Sequence, residues 1–269
     1  MAIDNMDKLV AGLASSQSFN FMLPSATNVV SGLVNIQRAV VTSFGQMAIP
    51  SAASAGGTLH DYNQLGFPKG VEPAGGITSY LASFRTTAAT AGALWLMDRV
   101  WSCTGFSGTV TTAQAVTSFP TLTRPDANGT GLQIWIECYT ATGASASNIT
   151  VQYTNSANVS GRNTVATPHI VSMPASRMYM VPLQSGDLGV KSIQSITLSA
   201  TTNIAGAFGV TLMKPIATIP MPIPNVGSNL DFAALGMPKI QDFSALNFIH
   251  QGTTTSSGII MGQISAIQG

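Results

Sequence analysis

Three histidines, two cysteines and one carboxylate set between aromatics are the residues of this chain from which a reaction could be built. His60, His169 and His250 stand far apart, and only His60 has a potential ligand beside it, Asp61 in LHDY. A His-Asp pair can open a metal site, but such sites need three or four ligands, and the pair is far more often a piece of loop. A serine nucleophile needs a base and an orienting acid, which sequence distance does not forbid, yet no G-x-S-x-G turn is present. Glu137 lies between Trp135 and Tyr139 in LQIWIECYT, a setting that suits a sugar cleft or a glycosidase. No second carboxylate is paired with it, however. The expectation is that Glu137 meets an arginine across a sheet or at an interface. Cys103 and Cys138 read as buried, reduced small hydrophobes, with a disulfide as the alternative.

Other candidate motifs are equally bland. SAGGT and PAGGI lack the lysine and the strand-to-helix setting of a phosphate loop. Asn128, Asn148 and Asn158 begin N-x-S/T triplets, which in a chain so rich in Ser and Thr reflect composition. The 12 methionines, among them Met173, Met178 and Met180, suit adaptable packing at a core or interface. No catalytic residue, metal ligand or cofactor is expected.

The elements that would have to position these residues are mostly strands. In LQIWIECYT, Leu132, Ile134, Ile136 and Cys138 alternate with Gln133, Trp135, Glu137 and Tyr139, the period of two that marks a half-buried strand. NITVQYT repeats it with Ile149 and Val151, SITLSA with Ile196 and Leu198, and AFGVTLM with Val210 and Leu212. These eight aliphatic residues are predicted to face the core. Clusters such as TATGASASN and TNSANVSGRN fall between the runs as turns. ALWLMDRVW is a heavier strand, expected to end at an edge or corner at Asp98-Arg99. Many short strands without strong helices argue for a mainly β, antiparallel β-sandwich, jelly-roll-like, with long irregular arms and a short N-terminal helix. That helix is predicted over 4–13, from Met6, Leu9, Val10 and Leu13 at helical spacing. The domain boundaries follow: an N-terminal arm with a short helix over 1–73, a sandwich over 74–213, and an extended C-terminal arm over 214–269.

Composition bounds the function. Charged residues make up 8% of the 269, against about 25% in an ordinary soluble domain, so the surface is poorly protected against association. The 11 basic residues are scattered and give a net charge of +1. No run exists that could neutralise a series of phosphates, which argues against nucleic acid. Asp4 and Asp7 stand where a signal peptide would carry Lys or Arg. No apolar run approaches the ~18 residues of a membrane span, so no membrane partner is expected.

The C-terminal part poses a separate question. IATIPMPIPN (216–225) alternates Pro220, Pro222 and Pro224 with Ile219, Met221 and Ile223. It is apolar, yet cannot be an interior helix or a strand paired on both edges. The expectation is an extended clamp against a sister subunit or another protein. Ile219, Met221 and Ile223 would be its contacts, with Phe232, Leu235, Ile240, Phe243, Leu246 and Phe248 as further anchors. The alternative is that the tail folds back over the open end of its own sandwich.

GALWLMDRVWSCTGFSGTVTTAQAV, LQIWIECYTATGASASNITVQYTN, VPLQSGDLGVKSIQSITLSA, FGVTLM, IPMPIPNVGSNLDFAALGMPKI and MGQISAIQG resemble virion structural proteins of tailed bacteriophages. The resemblance covers most of the chain from about residue 74 onward, and more loosely MAIDNMDKLVAGL and SFNF. It is most like a capsid decoration (cement) protein. It implies a homotrimer on the virion, made in the host cytoplasm, bridging subunits of the major capsid protein. The alternative is a tail or fibre component that binds a host receptor or carbohydrate, for which Trp95, Trp101 or Trp135 would have to be exposed. An unrecognised hydrolase is the third reading.

Overall fold

The computed structural model describes residues 5–23, 34–36, 57–61, 78–169, 171–175, 177–254, 256 and 258–268. Most of the N-terminal arm expected over 1–73 lies outside the described residues. Helix α1 (Met6–Ala14) is followed by β1 (Gln17–Leu23), β2 (Val34–Ile36), β3 (Thr58–Leu59), β4 (Ser79–Ala88) and β5 (Gly92–Phe106). Then come β6 (Gln114–Ala115), β7 (Gln133–Thr140), β8 (Ser147–Asn155), β9 (Arg162–Asn163), β10 (Thr167–His169), β11 (Arg177–Val181) and β12 (Val190–Leu198). After these follow β13 (Ala207–Met221), β14 (Ser228–Leu230), α2 (Phe232–Leu235), β15 (Lys239–Ile240), β16 (Leu246–Gly252) and β17 (Ile260–Gln268). The protein is mainly β and antiparallel, with one short N-terminal helix, as the alternating runs predict. Asn5 caps that helix, its side chain accepting from the Lys8 amide at 3.0 Å, so the helix starts at Met6 and carries Asp7 in its first turn.

The described residues fall into two compact units. The first comprises those within Met1–Ala48, Asp61–Asp98 and Ile216–Gly269, and the second those within Ile49–His60 and Arg99–Pro215. Strands β5 and β13 contribute to both. This differs from the single sandwich expected over 74–213.

In the second unit β8 lies between β10 and β12, β12 between β8 and β6, and β9 also pairs with β8. A second set is built on β7, which pairs with β13 through Phe208↔Cys138 to Met213↔Gln133 and with β11 through Met178↔Glu137 to Val181↔Ile134. Side chains from both sets meet in one core. All eight residues predicted to face inward lie in it, each at most 1% exposed: Ile134, Ile136, Ile149, Val151, Ile196, Leu198, Val210 and Leu212. The period of two identified them because a one-residue slip would send each to the other face.

The first unit has its own sheet, in the order β1-β17-β4-β14, with β15 also on β4. Strand β16 pairs with the first half of β5, Leu246↔Asp98 to Gly252↔Gly92. Between them lies a second core, of Phe21, Leu23, Leu81, Phe84, Leu94, Leu96, Ile219, Met221, Ile240, Leu246, Phe248, Ile260 and Ile264 among others. Here the extended arm expected over 214–269 needs correction. Residues 260–268 form the strand between β1 and β4, and 246–252 pair with β5. The tail belongs to its own unit's fold. Ile219 and Met221 are fully buried at the end of β13, while Pro220 and Pro222 face outward. The prolines thus limit the pairing of this strand end without preventing burial of the alternate side chains.

A second correction concerns Asp98-Arg99, where β5 was expected to stop. The strand runs on to Phe106 with both residues buried. Asp98 Oδ1 accepts from the Ala245 amide at 2.9 Å and Oδ2 from the Ser244 hydroxyl at 3.1 Å. Arg99 is held separately, beside Glu137.

Candidate functional site

The most concentrated polar chemistry surrounds Glu137 in the second unit. Strand alternation turns Glu137 away from the Ile134–Ile136 face, yet it is fully buried. Arg99 Nη2 lies 2.8 Å from Glu137 Oε2. The Tyr139 hydroxyl donates to the same oxygen at 3.0 Å and the Thr211 hydroxyl at 3.1 Å. The expected Glu137–arginine pairing is therefore present, and the partner is Arg99. Its Nε and Nη1 have no hydrogen-bond partner among the described residues. Burial pushes the guanidinium pKa down. A carboxylate already holding an arginine and two hydroxyls, with no exposed surface, has no room for a sugar ring. The arrangement fixes strands in place.

The histidines fare similarly. His60 Nε2 is 2.6 Å from the Ser102 hydroxyl, a nucleophile–base distance, but Ser102 is 2% exposed and His60 8%. His169 bridges the Tyr179 hydroxyl through Nδ1 at 2.8 Å and the Thr142 hydroxyl through Nε2 at 3.2 Å. His250 is fully buried, and neither ring nitrogen has a hydrogen-bond partner among the described residues. No group of three or more His, Cys, Asp or Glu side chains able to hold a metal occurs among the described residues. Cys103 and Cys138 are buried and are not joined in a disulfide, as the sequence suggested. Burial lifts the Cys103 thiol to about 11.

Burial lowers the pKa of both His169 and His250 to about 4. Both are therefore neutral in the folded protein at pH values where an unfolded histidine, with a pKa near 6.5, begins to charge. Their contribution is complete above about pH 6.5 and is lost as pH falls towards 4. Melting temperatures should therefore drop between these values, and His250→Leu, which removes a buried titratable ring, should flatten part of the slope. Identical melting curves for the two proteins at pH 7 and pH 4.5 would show that His250 does not titrate on unfolding.

Sequence reasoning does not find the ion cluster at Asp187. Arg162 donates to it twice, at 3.0 and 3.1 Å, the Asn155 amide donates at 2.7 Å and the Tyr153 hydroxyl at 2.5 Å. The Arg162 and Tyr153 contacts hold its carboxyl below the usual range against the opposing effect of burial. The four residues lie 34 positions apart at most, but no motif marks them. Asp187 adjoins a groove of about 480 Å³ lined by residues 131–133 and 180–188. A shallower depression of about 600 Å³ lies on the outer face of the first unit's sheet, over Asn20, Arg85, Asn229, Met261 and Gln263.

The residues expected to form an interface divide. Ile219, Met221, Ile240, Leu246 and Phe248 are core residues of the first unit, 0–4% exposed. Phe232 and Leu235, on the one-turn helix α2, are half-buried. Ile223 and Phe243 point to solvent, 57% and 52% exposed. Of the tryptophans considered for sugar stacking, Trp101 and Trp135 are buried and Trp95 is half-buried.

No family model matches the chain, and no curated protein does. Among solved structures it is similar to the VP2 subviral particle of infectious bursal disease virus, at 9% identity over 94% of this chain and 80% of that one, with a TM-score of 0.19. It is also similar to T=1 particles derived from that virus, at 9% identity over 94% and 77%, with a TM-score of 0.18. At such TM-scores the likeness carries no functional argument.

Proposed function

We propose that this chain is a structural component of a tailed-phage virion, a capsid decoration protein that stabilises the shell by binding the major capsid protein and further copies of itself. The observation that carries the reading is where its few charges go. Of only 11 basic and 10 acidic residues in 269, Asp98, Arg99, Arg124, Glu137 and Arg177 are buried, so these five add nothing to a surface already short of charge. Such a surface favours association. The resemblance of its strand segments to phage virion proteins supports the same reading. The chain's work in this reading is contact, not catalysis, and it needs no cofactor or metal.

The decisive measurement is a cryo-EM map of the particles that carry the protein. Density for the two units on the outer shell is the expected result. Density at the tail would favour the receptor-binding alternative, and absence from purified particles would overturn the virion reading altogether. As a companion test, Ile223→Asp with Phe243→Asp is expected to abolish binding to shells while leaving the melting temperature unchanged, since both side chains are exposed. Undiminished binding would remove these two residues from the contact.

A further inference from the structure

Strand β1 stands at the end of its sheet, paired with β17 on one side from Gln17↔Ala266 to Leu23↔Ile260. Among the described residues, no backbone group bonds to its other edge. Edge strands are ordinarily short, charged, bulged or interrupted by proline, because an open ladder recruits another chain. The other edges of the two sheets that lie within single units follow this rule. Strand β14 has three residues, β6 two, and β10 three including Pro168. Strand β1 has seven residues, QSFNFML, with no charge, no proline and no register shift. Its hydrophobic face is also unfinished, for Phe21 and Leu23 are buried while Phe19, packed against the same core, is only partly buried.

We infer that β1 is a self-pairing edge, taking β1 of a second copy of this chain in antiparallel register about a two-fold axis at Asn20. Three observations select this occupant. An open ladder of N–H and C=O groups calls for an extended backbone. With no charge in the strand, nothing repels its own copy. The sequence is also self-complementary. Pairing centred on Asn20 uses all seven residues, keeps every side chain on its proper face, and sets Phe19 opposite Phe21 of the partner subunit. The part of Phe19 left exposed would then be covered.

On the outer face, Asn20, Gln263, Arg85 and Asn229 stand in one row across four strands. Gln263 Nε2 donates to Asn20 Oδ1 at 3.0 Å, and Arg85 Nε to Asn229 Oδ1 at 3.1 Å. The Asn20 amide group makes no other hydrogen bond among the described residues and would face its symmetry mate at the axis, joining the two rows. A side-chain amide ladder of this kind suits stacking of like on like. The inference rests on the strand alone and is independent of the virion reading.

Sedimentation equilibrium of the full chain over low to tens of micromolar should show a dimer. Asn20→Lys places two ammonium groups face to face at the axis and should raise the dissociation constant by roughly tenfold or more without moving the melting temperature. Asn20→Cys should cross-link to a dimer on oxidation, because residue 20 meets itself, whereas Met22→Cys, which would face Ser18 of the partner subunit, should not. A monomer throughout the range overturns the inference. So does a dimer untouched by Asn20→Lys, or one cross-linked equally well from position 22. A dimer that binds no shell leaves this inference standing and removes the virion reading; a shell-binding monomer does the reverse.

Discussion

Ending the chain after Lys214 is expected to destroy the first unit, not to release a folded domain lacking an arm. The cut removes eight of the fifteen buried residues of that core, including Ile219, Met221, Phe248 and Ile264. It also removes β17, which pairs with both β1 and β4. Each fully buried aliphatic or aromatic side chain contributes about 1.5–3 kcal/mol, so the loss exceeds the roughly 5–15 kcal/mol by which a whole domain is stable. The truncated protein should be insoluble or, where soluble, rapidly cut by protease between residues 78 and 98 while 99–214 stays protected. A soluble product with β4 still resistant would mean that the tail is dispensable to the fold, and would restore the clamp reading of 216–225.

The second large effect is expected at Glu137. Replacing it with Ala leaves Arg99 buried, charged and without its carboxylate, and takes the acceptor from Tyr139 and Thr211. Breaking a buried pair in this way typically costs about 3–5 kcal/mol, whereas replacing both partners with apolar residues of similar size is often neutral or stabilising. Urea denaturation followed by the fluorescence of Trp101 and Trp135, both buried in the same unit, should show a large fall in midpoint for Glu137→Ala. Glu137→Leu combined with Arg99→Met should recover most of it. A double variant no better than the single one would show that the damage comes from a lost cavity filler and not from a stranded charge.

The alternation of Ile134 with Trp135, or Val210 with Thr211, made the core of the second unit legible in the sequence. It is a local signal and survives whatever the strand pairs with. The first unit was hidden because its strands come from distant parts of the chain, with Tyr80 paired to Ile267 and Phe19 to Ile264. Period can identify such strands singly but says nothing about their neighbours. Prolines misled most. Pro220 and Pro222 are incompatible with pairing on both edges, yet a strand end needs pairing on one edge at most to bury Ile219 and Met221. Charge misled in the opposite way. In a chain with few ionised groups Asp98 and Arg99 looked like surface punctuation, and nothing local announces that Ser244 and Glu137 wait for them. The Asp187 cluster was invisible for the same reason, since its members become neighbours only through strand pairing and turns.

The threading of the first unit has a consequence for the order in which the protein is made. Residues 99–215 can close their sandwich as soon as they have been synthesised, but β4 must wait for β17, the strand it pairs with from Ser79↔Gln268 to Ala88↔Ile260. At ribosomal speed that wait is on the order of ten to thirty seconds. During it Leu81, Phe84, Leu94 and Leu96 have none of the β16 and β17 side chains that later cover them. A nascent chain in that state is a client for chaperones and a hazard to its own copies on the same messenger. The uncharged β1, already out of the ribosome and equally unpartnered, is the segment through which neighbouring unfinished chains would first find one another.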